Sequence, residues 1–179
     1  MSPELLREMF HYYPKTGRLR WKKRPLRHFR DEREWKDFNA AVAGRWAGVK
    51  NLNRRKGKVT QIRVNIKKRS HCVHRIVWIM HHGPIQNGLF IDHKDCDPTN
   101  NRLDNLRLAS RSQNAHNSLL RKDNTSGYKG VSKYRNVFKA EIGSGGKRRY
   151  LGCFSSPKEA SDARRKASEE IHGKFARQA

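Results

Sequence analysis

At 179 residues the chain allows one medium domain or two small ones. Its 41 Lys and Arg against 16 Asp and Glu give a formal net charge of +25 and a sequence pI ≈ 10.8, which calls for a polyanionic partner. Hydrophobic residues at 35% suffice for small cores and not for one large one. Cys72, Cys96 and Cys153 are far apart and form no CxxC pair, which argues against a disulfide framework and a structural zinc ribbon. Met1 to Phe10 is mixed and charged, unlike a signal peptide, and the apolar run Ile76 to Met80 is too short to span a bilayer, so no membrane role is expected.

In chain order, Pro3 to Tyr13 reads as a short helix with Ser2 as N-cap and Leu5, Leu6, Met9 and Phe10 on one side. Pro14-Lys15-Thr16-Gly17 is a turn, and Arg18-Leu19-Arg20-Trp21 alternates like a strand. Lys22 to Asp37 is highly charged without a clear period and fits a loop or an exposed helix. Ala40 to Ser70 is β-rich: Trp46 to Val49 and Val59 to Ile66 are candidate strands, the second alternating cleanly. Between them Arg54, Arg55 and Lys56 would form a basic hairpin tip able to lie on phosphates or enter a groove. Met1 to Gly83 carries 22 Lys and Arg against 6 Asp and Glu, a net +16. Self-repulsion of that size makes an unpartnered, merely solvated face less plausible.

His74 to His82 reads as a helix stopped by Gly83-Pro84; packing or surface roles suit His74, His81 and His82 better than metal binding. Next comes an acidic island: from Pro84 to Ser110, Asp92, Asp95, Asp97 and Asp104 stand against Lys94, Arg102 and Arg107, a net −1. Four carboxylates in one stretch of a protein built to grip a polyanion point to a bound cation. Leu89-Phe90-Ile91 reads as a short strand ending at Asp92-His93, Asp97 to Asn101 as turn chemistry, and Asn105 to Ala109 as a second strand. Ser110 then offers an N-cap for a helix over Arg111 to Leu120, with Ala115 and Leu119 on one face.

After a polar linker, Arg121 to Gly127, three strands are expected at Lys129 to Tyr134, Val137 to Ile142 and Arg148 to Phe154. A helix follows over Lys158 to Ile171, capped by Ser155 or Ser156 and stopped by Gly173. Phe138, Ile142, Leu151 and Phe154 are candidate core residues.

The strand–loop–strand–helix order with Asp92-His93, Asn105 twelve residues after His93 and Asn114 nine further resembles the HNH nucleases, most closely the homing endonucleases of phages and introns. His74 to Trp78, Asn100-Asn101-Arg102-Leu103 and the opening Tyr12-Tyr13-Pro14-Lys15-Thr16-Gly17-Arg18-Leu19-Arg20-Trp21 fit the same resemblance. It implies a ββα-metal fold with His93 as general base and Asn105 holding the loop. Asp92 and Asn114 would hold one divalent ion, Mg²⁺ or Mn²⁺, through oxygen, with His116 and Asn117 as further candidates for the second ligand.

The last third resembles the AP2-type DNA-binding domain through Ser126 to Val131, Phe138 to Ile142, Leu151 to Phe154, Lys158-Glu159-Ala160 and His172 to Ala176; Arg164 departs from the usual Tyr. That resemblance implies a three-stranded sheet laid in a DNA groove. Lys129, Lys133, Arg135, Lys139, Lys147, Arg148 and Arg149 would be its contacts, with Tyr134 and Tyr150 interleaved.

The sequence is thus read as an α+β protein with a β-rich N-terminal extension (1–70), an HNH core (71–121) and an AP2-like domain (122–179). It is expected to hydrolyse a phosphodiester of double-stranded DNA at a long site, by a nick or a double-strand break, as monomer or homodimer. A phage-encoded protein of this kind would work in the bacterial host's cytoplasm. A DNA-binding protein without catalysis and a basic RNA-binding protein are the competing readings. The intact Asp92, His93, Asn105 and Asn114 oppose the first, and the lack of a recognisable RNA module opposes the second.

Overall fold

The computed structural model describes residues 1–53, 57–118, 120, 123–144 and 146–176. The chain divides into two compact units, Met1–Leu108 and Ala109–Ala179. Both mix helices with small antiparallel sheets.

The first unit opens with α1 (Pro3–Met9), where Ser2 Oγ accepts the Leu5 N–H (3.3 Å), Pro3 starts the helix, and Leu6 and Met9 are buried. The helix stops at Met9 rather than running to Tyr13 as the apolar spacing suggested. Phe10–Tyr13 is strand β1, paired with β2 (Arg18–Trp21) in the register Phe10↔Trp21 and Tyr12↔Leu19. Two physical reasons favour the hairpin. Pro14 disfavours a helical Tyr13, and alternate residues of both strands bury together, with the Phe10 and Trp21 ring centroids 4.4 Å apart.

The charged stretch resolves into helix α2 (Glu32–Ala41), N-capped by the Asp31 carboxylate, which accepts the Glu34 N–H (2.8 Å). Strand β3 (Trp46–Ala47) joins β1 and β2 in the order β1-β2-β3. Strands β4 (Val49–Asn53), β5 (Lys58–Ile66) and β6 (Arg69–Cys72) form a second three-stranded sheet. The first expected strand is therefore split: Trp46–Ala47 pairs with β2, and the chain past Gly48 pairs with β5. Helix α3 (Val73–His82) follows, stopped at Gly83 (φ +81), and buries Val73, Ile76, Val77 and Met80. Strands β7 (Phe90–His93) and β8 (Leu106–Ala109) make a two-stranded sheet.

One apolar core runs through this unit, from Leu6, Met9 and Phe10 through Leu19, Val64 and Ile76 to Ile91 and Leu106. Residues 1–70 share that core with β7 and the start of β8 and do not form a region of their own. The expected basic tip Arg54, Arg55 and Lys56 lies outside the described residues.

The second unit carries α4 (Arg111–His116) and strands β9 (Val131–Tyr134), β10 (Val137–Ser144) and β11 (Lys147–Phe154) in the order β11-β10-β9, followed by α5 (Pro157–His172). Val131 and Ala140 of the sheet pack on Ala160 of α5, flanked by Tyr128, Phe138, Leu151 and Phe154. Ser156 caps α5 by accepting the Glu159 N–H (3.2 Å). The three cysteines are free thiols, and among the described residues no helix is long and apolar enough to cross a membrane.

The β1–β2 turn packs directly on the loop between β7 and β8. Gly17 sits at φ +68, and a Cβ there would lie 2.5 Å from Arg102 N and Asn101 C. Gly17→Ala is therefore expected to lower unfolding free energy by about 2 kcal/mol or more, from strain plus a backbone collision. Gly57→Ala, also at positive φ (+59) but facing open space, should cost only about 1 kcal/mol. Equilibrium denaturation of the two variants checks the contrast, and equal losses would remove the packing role.

Candidate active site

The candidate residues gather where β7 ends and the 94–105 loop returns to β8. Asp92 is buried, and its Oδ2 pairs with Arg107 Nε (2.8 Å), itself mostly buried on β8. A carboxylate this far from water needs such a partner.

His93 is half-buried, and its Nε2 lies 3.0 Å from Asn101 Oδ1. Asn101 is 1% exposed. Its amide N–H points at Thr99 O (3.4 Å), so the amide oxygen accepts from His93 Nε2–H and the neutral ring's lone pair falls on Nδ1. The Asn101 backbone is clamped in turn: Tyr12 Oη donates to Asn101 O (3.3 Å) and accepts the Leu103 N–H (3.0 Å).

Asn105 does not touch His93 through any described hydrogen bond. Its Oδ1 accepts the Asp95 N–H (3.2 Å), and its Nδ2 donates to Asp95 Oδ1 (2.9 Å) and Asn100 O (2.8 Å). It fastens the loop to the end of the β7–β8 hairpin. Burial pushes the Asp95 carboxyl up, but the Asp97 N–H and the Asn100 and Asn105 amides outweigh it and hold the group below its ordinary value. Asp97 accepts both the N–H and the hydroxyl of Thr99 (2.8 Å each), and Asp104 pairs with Arg102 (2.6 Å). The acids of the island other than Asp92 therefore tie turns together.

Helix α3 sets His74 against His93, ring centroids 5.1 Å apart at 86°. His74 Nδ1 is buried without a hydrogen-bond partner. Burial first, then the charges of His93, Arg75 and Arg63, push the His74 imidazolium down to about 4.

Asn114 is exposed on α4, in the second unit. Ser110 caps that helix in a reciprocal box: its Oγ accepts the Gln113 N–H (3.2 Å), and Gln113 Oε1 accepts the Ser110 N–H (2.7 Å). The helix ends at His116 with Asn117 as a buried C-cap, four residues short of the expected Leu120.

In the second unit the strand register sorts the basic residues between two faces, because directly opposed residues of an antiparallel pair share a face. Arg148 stands opposite Gly143, Tyr150 opposite Glu141 and Tyr134 opposite Val137; with Lys139 they lie on the face away from α5. Lys133 opposes Phe138 and Arg149 opposes Ile142, on the α5 side though still exposed. Lys147 and Arg135 are exposed near strand ends, Lys139 pairs with Glu141 (3.2 Å), and Lys129 Nζ donates to Ser118 O (2.8 Å). Arg164, the departure from the AP2-type pattern, is held below its ordinary range by burial and packs over Gly130, where a Cβ would collide with it.

Residues 71–116 match the protein family described as HNH endonuclease. Over 106 residues the chain is 39% identical to protein 3.8 of Escherichia phage T7, covering 58% of this chain and 87% of that protein. It is also 31% identical over 106 residues to an uncharacterized HNH endonuclease of Acanthamoeba polyphaga mimivirus, covering 58% of this chain and about half (54%) of that one. The chain belongs to the same family as protein 3.8 of phage T7, and its residues 71–116 carry the match to the HNH endonuclease family. No solved structure gives a significant match to it.

Sequence reading missed three residues at the site. Asn101 was visible only as part of an Asn-Asn pair. Arg107 was a lone cation in an otherwise apolar strand, which signals a buried anion opposite. Tyr12 carried no local signal, since its partner is 89 positions away.

A folded-state pKa near 4 for His74, below the unfolded 6.5, means that the unfolded chain takes up the proton first. Its contribution to stability is complete above about pH 6.5 and is lost as pH falls toward 4, amounting to about 3 kcal/mol. His74→Gln should flatten the stability profile across that window in denaturant titrations at a series of pH values; an unchanged slope would count against a buried neutral His74.

Proposed function

We propose that the protein is a metal-dependent endonuclease that hydrolyses a phosphodiester of double-stranded DNA, with His93 as general base. The observation that carries this reading is His93 held by the buried Asn101 beside the buried carboxylate of Asp92. Proton abstraction needs an imidazole fixed in one tautomer and one direction. In the proposed step a water oxygen bonds the scissile phosphorus, its proton passes to His93 Nδ1, and the bond to the leaving oxygen breaks. Asn105 serves by holding the loop, and Asn101 by holding the base.

The family's use of a divalent ion fits the donor chemistry at Asp92, a buried carboxylate oxygen suited to a hard cation such as Mg²⁺ or Mn²⁺. Asp92 would be one ligand, and Asn114 keeps its assignment as a second oxygen donor on sequence spacing alone. When bound, the ion would stabilise charge on the phosphate and leaving oxygen. Among the described residues no group of three or more His, Cys, Asp or Glu gathers into a metal cage. One or two protein oxygens with water completing the shell is therefore the arrangement proposed.

We further propose that Ala109–Ala179 includes an AP2-like DNA-binding module and that the target is a long, homing-type site. The register supports a contact face made of Lys139, Arg148, Tyr134 and Tyr150, the two tyrosines being 54% and 58% exposed. Arginine beside exposed aromatic rings suits base-edge and sugar–phosphate contact.

Supercoiled DNA bearing candidate sites should be converted to nicked or linear product with Mg²⁺ or Mn²⁺ and not with EDTA. His93→Ala should slow conversion about 10²- to 10⁴-fold while leaving DNA binding intact, and Asp92→Asn should remove the metal response. Cleavage by His93→Ala at the wild-type rate would sink the assignment; undiminished DNA binding without cleavage under any metal would favour a non-catalytic binding protein. Separately, Arg148→Ala should weaken specific binding about tenfold, and Arg149→Ala by a few-fold at most. Equal losses in a mobility-shift series at fixed salt would contradict the face assignment.

A further inference from the structure

A cavity of ≈ 920 Å³ opens in the first unit between α1, the end of β5, β6 and α3. Its walls hold Arg24, Arg27, Arg63, Lys67, Arg69 and Arg75, with no carboxylate among the lining residues. Its floor is apolar, from Leu5, Met9, Ile76 and Ile79. On α3 the cavity takes Arg75, Ile76 and Ile79, whereas His74 meets His93; at 3.6 residues per turn these are different faces of the helix.

Arg24 is the group that needs explaining. It is only 6% exposed, yet it makes no salt bridge among the described residues. Its backbone is fixed from α2: the N–H donates to Asn39 Oδ1 (2.9 Å), and the carbonyl accepts from Asn39 Nδ2 (3.0 Å) and Trp35 Nε1 (2.8 Å). The guanidinium lies over Phe29 and Phe38, 4.5 and 4.8 Å from the ring centroids, and Nε donates to His28 Nδ1 (3.3 Å). His28 Nε2 meets Glu8 Oε2 (2.7 Å), and Arg27 takes the other Glu8 oxygen (2.7 Å). Glu8 is thus already engaged, and Glu34, whose charge also acts on Arg24, accepts the Arg30 N–H and makes no salt bridge to Arg24. A guanidinium has five N–H donors, and only Nε has a described protein acceptor. Burying such a charge beside five further cations is costly unless an anion completes the site. The field is felt locally as well: burial, then the Met1 amino group, Arg63 and Arg69, hold the His71 imidazolium below its ordinary value.

We infer that this cavity is a binding site for a nucleoside 5′-phosphate, the phosphate held by Arg24 with Arg69 and Arg75 and the base on the aliphatic floor. The planar guanidinium fork matches phosphate oxygens, and the volume lies in the range of small-ligand sites built on an apolar lining with a few placed polar groups. Two sources offer this chemistry: a free nucleotide, and the 5′-terminal nucleotide of a DNA strand. The inference does not depend on the nuclease reading.

The test is calorimetric titration of the full-length protein, without divalent metal and at fixed ionic strength. The probes are dAMP, deoxyadenosine and a 5′-phosphorylated single-stranded pentanucleotide. The variants are Arg24→Gln and, on the exposed wall, the double substitution Arg69→Ala with Arg75→Ala; Lys158→Ala, on α5, controls for general charge loss. Binding of dAMP at least tenfold tighter than deoxyadenosine, lost at least tenfold in both cavity variants and kept in Lys158→Ala, establishes the site with free nucleotide as ligand. The same pattern seen only with the pentanucleotide establishes it with a strand end as ligand. If Arg24→Gln fails to fold by circular dichroism, the double variant decides. Affinities for dAMP and the pentanucleotide that are both absent, or both unmoved by the cavity variants relative to Lys158→Ala, overturn it.

Discussion

The candidate site rests on one buried amide. Asn101 holds His93 through its side chain and receives Tyr12 through its backbone, so the ring that would move a proton is braced by residues from two distant parts of the chain. Hydrogen bonds at a site shielded from water carry more weight than the same bonds at a surface. A loop of twelve residues joining two short strands has little apolar content of its own, and polar contacts do the work that packing does elsewhere. Asn105 and Asp95 close the loop on itself, Tyr12 ties it to the N-terminal hairpin, and the backbone approach at Gly17 seals the contact.

Charge is arranged on two scales. Over the whole chain the excess is strongly positive and suited to a nucleic acid. Within the loop the sign reverses, but most of that negative charge is spent locally: Asp95 and Asp97 accept backbone N–H groups, and Asp104 faces Arg102. Asp92 differs because it is buried and sits on a strand, with Arg107 beside it. A carboxylate already balanced by a guanidinium is a weaker cation ligand than a bare one, so in the proposed reaction metal affinity would be set by how Arg107 shares that oxygen, and Arg107 would be a tuning residue as well as a structural one.

Much of this was readable in advance. The β7–β8 hairpin, the capped helix after Ser110 and the three strands and helix of the second unit lie within a few residues of where turn chemistry and alternation put them. These features are local, and local signals carry them. The misreadings share a cause. Leu5, Leu6, Met9 and Phe10 satisfy a helical spacing, but Phe10 and Tyr12 also satisfy a two-residue spacing, and the partner strand decided between them. The strand expected over Trp46 to Val49 was divided between two sheets for the same reason. At the site, Asp92 and His93 were recognisable by spacing, whereas Asn101, Arg107 and Tyr12 owe their roles to contacts the order of residues does not display.

The bond between Tyr12 and Asn101 has a kinetic side. It joins positions 89 apart in the chain, and contacts of such separation close late, because the intervening loop must first be ordered. A chain still emerging, or partly unfolded at its N-terminal hairpin, would carry Asp92, His93 and most of its positive charge while lacking the brace that aims the imidazole. Under the proposed function, attraction to DNA would then precede competence to cut it, and completion of the fold would itself act as the last step in arming the protein.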